Sequence, residues 1–291
     1  MSNPAALLTD EELSAYQREG QVVPRGYRLP AAALARLRGA ADRIIEQTAT
    51  RDPDLVLVAH LPHRPGINGL DGGEEIFKVL IEPSLLDLVE QLIGPDIILW
   101  GSSVFAKPPG IGKAVQWHQE GHYWPMRPLI ATSAWIAIDD ASPENGCLRF
   151  VPGSHCHGLY RHNDEHRANG LLQRSINDSA FDDASAGDIV VSAGQVSLLD
   201  TFVAHGSHAN ESSRRRAALT VRYMAATSYF DRGNEGVRVR EGGDTADYRT
   251  RPIWLVRGEN RHPGNDYSIS HEGLEDYDEL AEAARITHLQ R

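Results

Sequence analysis

The sequence predicts a mainly β domain with flanking helices, built on a double-stranded β-helix (jelly-roll, cupin-like) core. Three observations predict it. From Ile97 onward the chain breaks into short segments rich in apolar, β-branched and aromatic residues: IILWGSSVFA, VQWH, LIATSAWIAI, CLRFVPG, DIVVSA, QVSLLD and RAALTVRYMAA. Pro, Gly, Asp and Asn separate them, as they separate strands of a sandwich or barrel. Ahead of these lies helix-patterned sequence, which fits helices laid outside one sheet. No internal repeat or low-complexity linker divides the 291 residues, and all-β domains often run past ~200 residues as one unit. A single domain, 1–291, is therefore expected, with a helical preface over about residues 1–50.

The preface reads locally. Thr9-Asp10-Glu11-Glu12 is a capping box, with Thr9 as N-cap and Glu12 three residues on, and Gly20 can close that helix. Pro30 opens a second helix, AAALARLRGAADRIIEQ, whose Leu34, Leu37, Ala41 and Ile44 share a face. PSLLDLVEQLIG, from Pro83 to Gly94, again has proline inside the start and glycine past the end. Asp71 to Glu75 reads as a solvated acidic turn. Residues 155–187 are polar and irregular, so they form a lid or a long surface loop.

Composition excludes several classes. A net charge of −11 disfavours binding to nucleic acid or an anionic membrane, both of which need a basic face. No apolar run approaches the ~20 residues of a spanning helix. The N-terminus lacks the basic and long apolar regions of a secretory signal. The two cysteines, Cys147 and Cys156, form no CxxC pattern, so a reducing cytoplasmic location is expected. A small-molecule substrate is the partner left.

The chemistry concentrates around Gln116-Trp117-His118-Gln119-Glu120. On an extended segment, side chains two apart share a face, so His118 and Glu120 can address one ion. A second imidazole can come from His205 in DTFVAHGS. Two histidines and a carboxylate on one face of an octahedron leave positions open for a bidentate co-substrate and dioxygen, the arrangement of iron(II) oxygenases. An isolated H-x-E is common, and with 13 histidines in the chain a later histidine is guaranteed. The basic run that follows strengthens the pattern. Arg216 opens the apolar run RAALTVRYMAA, where an inward guanidinium would need an anionic partner. Its bidentate fork suits the far end of a dicarboxylate such as 2-oxoglutarate. Arg214 and Arg215 are expected in a solvated turn.

These residues resemble the phytanoyl-CoA dioxygenase family of iron(II)- and 2-oxoglutarate-dependent oxygenases, over roughly residues 76 to 225. Lys107-Pro108-Pro109-Gly110 precedes His118-Gln119-Glu120, which continues through His122-Tyr123-Trp124-Pro125 and Arg127-Pro128 to Trp135. Asn145-Gly146-Cys147-Leu148 leads into Val151-Pro152-Gly153-Ser154-His155. His205-Gly206-Ser207 is followed eleven positions after the histidine by Arg216. The resemblance implies Fe(II) on His118, Glu120 and His205, and the distal carboxylate of 2-oxoglutarate on Arg216 and Ser207. It also implies that Gln119 and Trp135 line the co-substrate pocket. Dioxygen would be consumed and a C–H bond of the substrate hydroxylated, with release of succinate and carbon dioxide. The family usually has aspartate where this chain has Glu120, which keeps the charge and reaches one methylene further. Halogenating relatives replace the carboxylate with a small residue, so Glu120 argues against halogenation.

Other outcomes on the same centre are desaturation, ring closure, epimerisation and halogenation, the last disfavoured by Glu120. A non-catalytic jelly-roll binding module would have lost a ligand or the arginine, and neither is lost. Trp117, Tyr123 and Trp124 are core aromatics or pocket walls. His155, His157, His162 and His166 read as solvated surface rather than a second metal site, while His122 and His208 lie where they could meet substrate. Cys147 reads as packing. The acidic balance mildly disfavours a highly anionic acyl-CoA, leaving a small polar or natural-product-type metabolite.

Overall fold

The computed structural model describes residues 8–48, 55–164, 171–172, 174–234, 237–238 and 245–289. The capping box forms as read: Thr9 Oγ1 accepts from the Glu12 amide at 3.2 Å, Glu12 Oε2 accepts from the Thr9 amide at 2.9 Å, and Gly20 ends the helix Asp10–Glu19 with φ 81°. Helices Ala31–Gln47 and Pro83–Ile93 occupy the spans that their proline starts mark. The acidic turn is a correction. Gly73–Leu80 is helical, because Ile76, Phe77, Val79 and Leu80 bury one face while Glu74 pairs outward with Lys78 at 2.7 Å. A C-terminal helix, Glu275–Leu289, lay unread in the sequence.

Two antiparallel sheets build the core. The larger runs in the order Gln21–Val22, Val196–Asp200, Ala131–Ala137, Arg216–Ala225, Ile97–Lys107, Trp254–Arg257, with Val56–Leu57 also on the 97–107 strand. The smaller runs Gly187–Ile189, Leu148–Phe150, His205–Ser207, Val115–His118. All seven apolar segments singled out in the sequence contribute a strand. This is the jelly-roll core.

Alternation along Arg216–Ala225 divides its labour. Ala217, Leu219, Val221 and Tyr223 face the helices, packing with Leu37, Ile44, Phe77, Leu85 and Leu88. The opposite parity, Arg216, Ala218, Thr220 and Arg222, faces the smaller sheet. There Trp135, Leu199 and Ala218 meet Leu148, Phe150 and Ile189. Both faces of the larger sheet are thus covered, which is why its central strands read as near-continuous apolar runs. One bulge breaks the parity of Ile97–Lys107: Arg222 opposes Gly101 and Tyr223 opposes Leu99, leaving Trp100 unopposed. An extra residue re-aims the side chains that follow, and Trp100, Ser103 and Phe105 all line one cavity.

Among the described residues no helix is long and apolar enough to cross a membrane.

Candidate metal centre

His118 ends the strand Val115–His118 and is the cross-strand partner of His205, with ring centroids 4.2 Å apart. Gly206 permits that approach: a Cβ there would lie 2.8 Å from the Val115 carbonyl oxygen. Glu120 is not on the strand. It starts a short 3-10 turn, Glu120–His122, after Gln119 keeps an extended backbone at φ −125° and ψ 131°, so the same-face relation to His118 survives the end of pairing. One ligand atom from each of His118, Glu120 and His205 lies within 4.8 Å of the other two.

Each ligand is oriented from behind. His118 Nδ1 donates to the Gln116 carbonyl at 2.8 Å and His205 Nδ1 to the Val203 carbonyl at 3.0 Å, which leaves both Nε2 atoms as acceptors. Glu120 Oε2 accepts from Trp124 Nε1 at 2.7 Å. Burial, then the neighbouring His205, holds His118 well below the ordinary histidine pKa. Burial also lowers His205, partly offset by Glu120. Both imidazoles are therefore neutral at pH 7, the form a metal requires.

Two cavities adjoin the triad. The first, about 430 Å³, runs between the sheets and is lined by Ser133, Trp135, Ser207, Arg216 and Thr220 as well as the triad. Arg216 is 1% exposed; its Nε donates to the Gly146 carbonyl at 3.1 Å and its guanidinium carbon sits 5.6 Å from the Trp135 ring centre. Ser207 Oγ, on the same wall, is buried without a hydrogen-bond partner among the described residues. A buried cation beside an orphaned hydroxyl, at the end of a cavity reaching the triad, fits the distal carboxylate of a dicarboxylic acid. The donor set itself, two neutral imidazoles and a carboxylate, fits Fe(II).

Gln119 is brought elsewhere. Strand alternation turns it away from the ligands, and its amide braces loops, donating to the Gly158 and Phe202 carbonyls and accepting from the Tyr160 amide at 2.7 Å. It is absent from the walls of the cavity that Arg216 and Ser207 line. The three arginines also separate. Arg214 is largely exposed, whereas Arg215 is bound by Asp139 at 2.8 Å and Asp42 at 2.6 Å rather than merely solvated.

The second cavity, about 640 Å³, shares His118, Glu120 and Phe105 with the first and is walled also by Trp100, Tyr123, Trp124, Leu172 and Tyr248 among others. Trp124 and Tyr123 are thus at the site, while Trp117 faces outward and donates to Asp183 at 2.7 Å. Within residues 155–187, His162–Asp164 pairs with Arg174–Ile176, and the Leu172 amide donates to Gln116 Oε1 at 3.1 Å. His162 is not surface: half-buried, it stacks on His122 at 4.3 Å and its Nε2 accepts from the Gln119 amide. His157 is exposed and stacks on Tyr160, and His166 lies outside the described residues. His208 is exposed. Cys147 is buried in the inter-sheet core, as read.

The family model for phytanoyl-CoA dioxygenase (PhyH) matches residues 16–218, which includes the triad, Ser207 and Arg216. The chain belongs to the phytanoyl-CoA dioxygenase family. A phytanoyl-CoA dioxygenase domain-containing protein 1 homolog of Caenorhabditis briggsae is 33% identical over 64% of this chain and 64% of its own length. The peroxisomal phytanoyl-CoA dioxygenase of Homo sapiens is 26% identical over 77% of this chain and 70% of its own. Among solved structures, the non-heme monooxygenase ThoJ superposes with a TM-score of 0.63 at 20% identity, covering 95% of this chain and 98% of ThoJ. At that identity the likeness speaks to the fold alone, and it supports the jelly-roll core.

Within this family site, sequence reasoning missed Trp124 as the donor to Glu120, and Arg222 and Arg251 on the second cavity. Arg222 carried a signal: it stands six residues beyond Arg216, on the same face of a strand otherwise apolar but for Thr220. Arg251 carried none.

Proposed function

We propose that the protein is an Fe(II)- and 2-oxoglutarate-dependent dioxygenase that hydroxylates a C–H bond of a small metabolite, releasing succinate and carbon dioxide. The observation that carries this reading is one buried line of chemistry. It runs from the oriented His118–Glu120–His205 triad to Arg216 and Ser207 at the end of the same cavity.

Fe(II) with 2-oxoglutarate and dioxygen supplies the oxidising power when bound. The protein's residues do the rest. His118, Glu120 and His205 would hold the metal on one face. Arg216 and Ser207 would fix the co-substrate's far carboxylate, one by a charged fork and the other by a hydroxyl, which sets the direction in which the keto acid points. Trp135 floors that cavity and keeps water from it. Trp124 holds Glu120 in one rotamer. The second cavity, which His118 and Glu120 also line, would present the substrate carbon to the metal, and its aromatic walls exclude water there.

Glu120 also bears on outcome. A carboxylate ligand fills the position a halogenase leaves to chloride, and its charge disfavours a second anion beside it. Anaerobic addition of Fe(II) and 2-oxoglutarate should give a visible charge-transfer band, and its absence would sink the cofactor assignment. With substrate under ¹⁸O₂ and excess chloride, the product should gain one labelled oxygen and no chlorine. A product lighter by two hydrogens would move the reaction to desaturation or ring closure.

A further inference from the structure

The second cavity carries a charge that the reading above does not use. Arg222 enters it from the strand Arg216–Ala225 and Arg251 from the loop before Trp254–Arg257, and both line its wall beside Trp100, Ser103 and Tyr248. The two guanidiniums converge. Arg251 Nη1 lies 3.7 Å and Arg222 Nη1 4.0 Å from the point where a Cβ on Gly101 would stand. Arg222 is held in place: its Nη1 donates to Ser103 Oγ at 2.9 Å and its guanidinium carbon sits 5.9 Å from the Trp100 ring centre. Neither arginine has a carboxylate within 4.0 Å among the described residues. Asp247, the nearest acid in sequence to Arg251, is gripped by Arg249 at 3.0 and 3.1 Å. Glu120 faces the same cavity, but as a metal ligand its charge is already matched.

Two like charges drawn together in a half-buried pocket repel each other and lose hydration. Burial and the charge of Arg222 push Arg251 down to about 10, far below a free guanidinium. Such a pair is stabilised when an anion bridges it, and a guanidinium pair with an aromatic wall matches a carboxylate or phosphoryl group carried on an apolar body. The net charge of −11 points the other way only as a sum over the whole surface; the potential at this site is set by the charges that line it.

We propose that Arg222 and Arg251 form the anion subsite for the primary substrate, a small organic acid whose carboxylate or phosphoryl group docks between the two guanidiniums. Its hydrocarbon body then lies along Trp100, Phe105 and Leu172, with the carbon to be oxidised turned toward His118 and Glu120. Arg216 serves the co-substrate in the other cavity, so one strand contributes an arginine to each anion site, and both cavities share His118 and Glu120. This rests on the oxygenase reading above, which names the substrate only as a small metabolite.

The test uses matched probes on the protein loaded anaerobically with Fe(II) and saturating 2-oxoglutarate, so that Arg216 is already occupied. Hexanoate, hexyl phosphate and hexanol share one body and differ in the head group. Calorimetric titration should show one or both anions binding at least ten-fold more tightly than the alcohol, and the better of the two names the head group. Arg251→Gln and Arg222→Gln should each lose that preference, and Arg251→Lys should retain part of it. None of the three should change the affinity for 2-oxoglutarate, measured by the charge-transfer band. Equal binding of all three probes to the unmutated protein overturns the subsite, whether or not the variants fold, and leaves the oxygenase reading standing. Absence of the 2-oxoglutarate band fails the oxygenase reading instead. A variant that loses 2-oxoglutarate together with the probes also overturns the subsite, because it assigns the arginine to the co-substrate.

Discussion

Trp124→Phe isolates one contact to the metal centre. Trp124 is 3% exposed and its Nε1 gives Glu120 Oε2 a 2.7 Å hydrogen bond, while its ring meets Trp100 edge-on at 4.9 Å. Phenylalanine keeps an aromatic ring in the wall and removes the donor. A hydrogen bond to a charged group is worth about 1.5–3 kcal/mol. The bond exists with and without metal, however, so only the part that preorganises Glu120 enters the metal affinity. Loss of an outer-shell partner typically weakens metal binding 10- to 100-fold, and the shared portion places this case at the low end. The expected change is about ten-fold in Fe(II) affinity, or about 1.4 kcal/mol. Anaerobic competition against a chromogenic chelator measures it. Trp100→Phe is the control, since it alters the same wall and its indole nitrogen has no hydrogen-bond partner among the described residues. Unchanged affinity in Trp124→Phe, or an equal loss in Trp100→Phe, would refute the positioning argument.

Arg216→Gln should raise the KM for 2-oxoglutarate far more than that for substrate, at a cost of about 2–5 kcal/mol for breaking a buried charged pair. The same effect from Arg215→Gln instead would show that the register of the three arginines is wrong. His60 is fully buried, bonds Ser102 Oγ at 2.8 Å, and is lowered to about 3 by burial and then by the Arg251 and Arg222 charges. Because the unfolded histidine titrates near 6.5, the unfolded chain binds a proton that the folded chain refuses between pH 6.5 and about 3. Stability should therefore fall as pH drops through that window, with His60 contributing about 1.4 kcal/mol per pH unit. In metal-free protein, denaturant titrations of His60→Leu should show a slope shallower by about one proton; an unchanged slope would count against burial of a neutral ring. If residues 155–187 act as a lid, limited proteolysis should cut there and be slowed by 2-oxoglutarate plus substrate. Cutting that ignores both would make the segment an ordinary loop.

The parts legible in the sequence were those whose cause is local. Thr9 with Glu12, Pro30, and Pro83 with Gly94 mark helix ends because caps satisfy backbone groups within a few residues. The seven apolar segments became strands because short apolar runs with breakers between them have few other ways to be buried. His118 and Glu120 share a face because extended backbone alternates, which holds through Gln119 even after the strand ends. That same alternation turns Gln119 away from the co-substrate cavity, a consequence readable in the sequence beside the family resemblance that placed it there. Arg216 could be picked from three arginines because only it begins a buried strand.

What the tertiary structure alone decided involves residues far apart in the chain or a break in periodicity. Helix Gly73–Leu80 gains its reason only from the sheet and helix beneath it. The bulge at Trp100 re-aims Ser103 and Phe105 into a cavity, and nothing in the residue types of IILWGSSVFA marks where an extra residue will sit. Arg251 reaches Arg222 and Gly101 across more than a hundred residues of sequence from the latter. His162 lies against His122 because a hairpin within a polar stretch docks on the metal strand. Pattern along a chain reports which face a side chain takes. Which distant side chain it meets there is set by how the sheets and loops pack, and the chemistry of the second cavity depends on that packing.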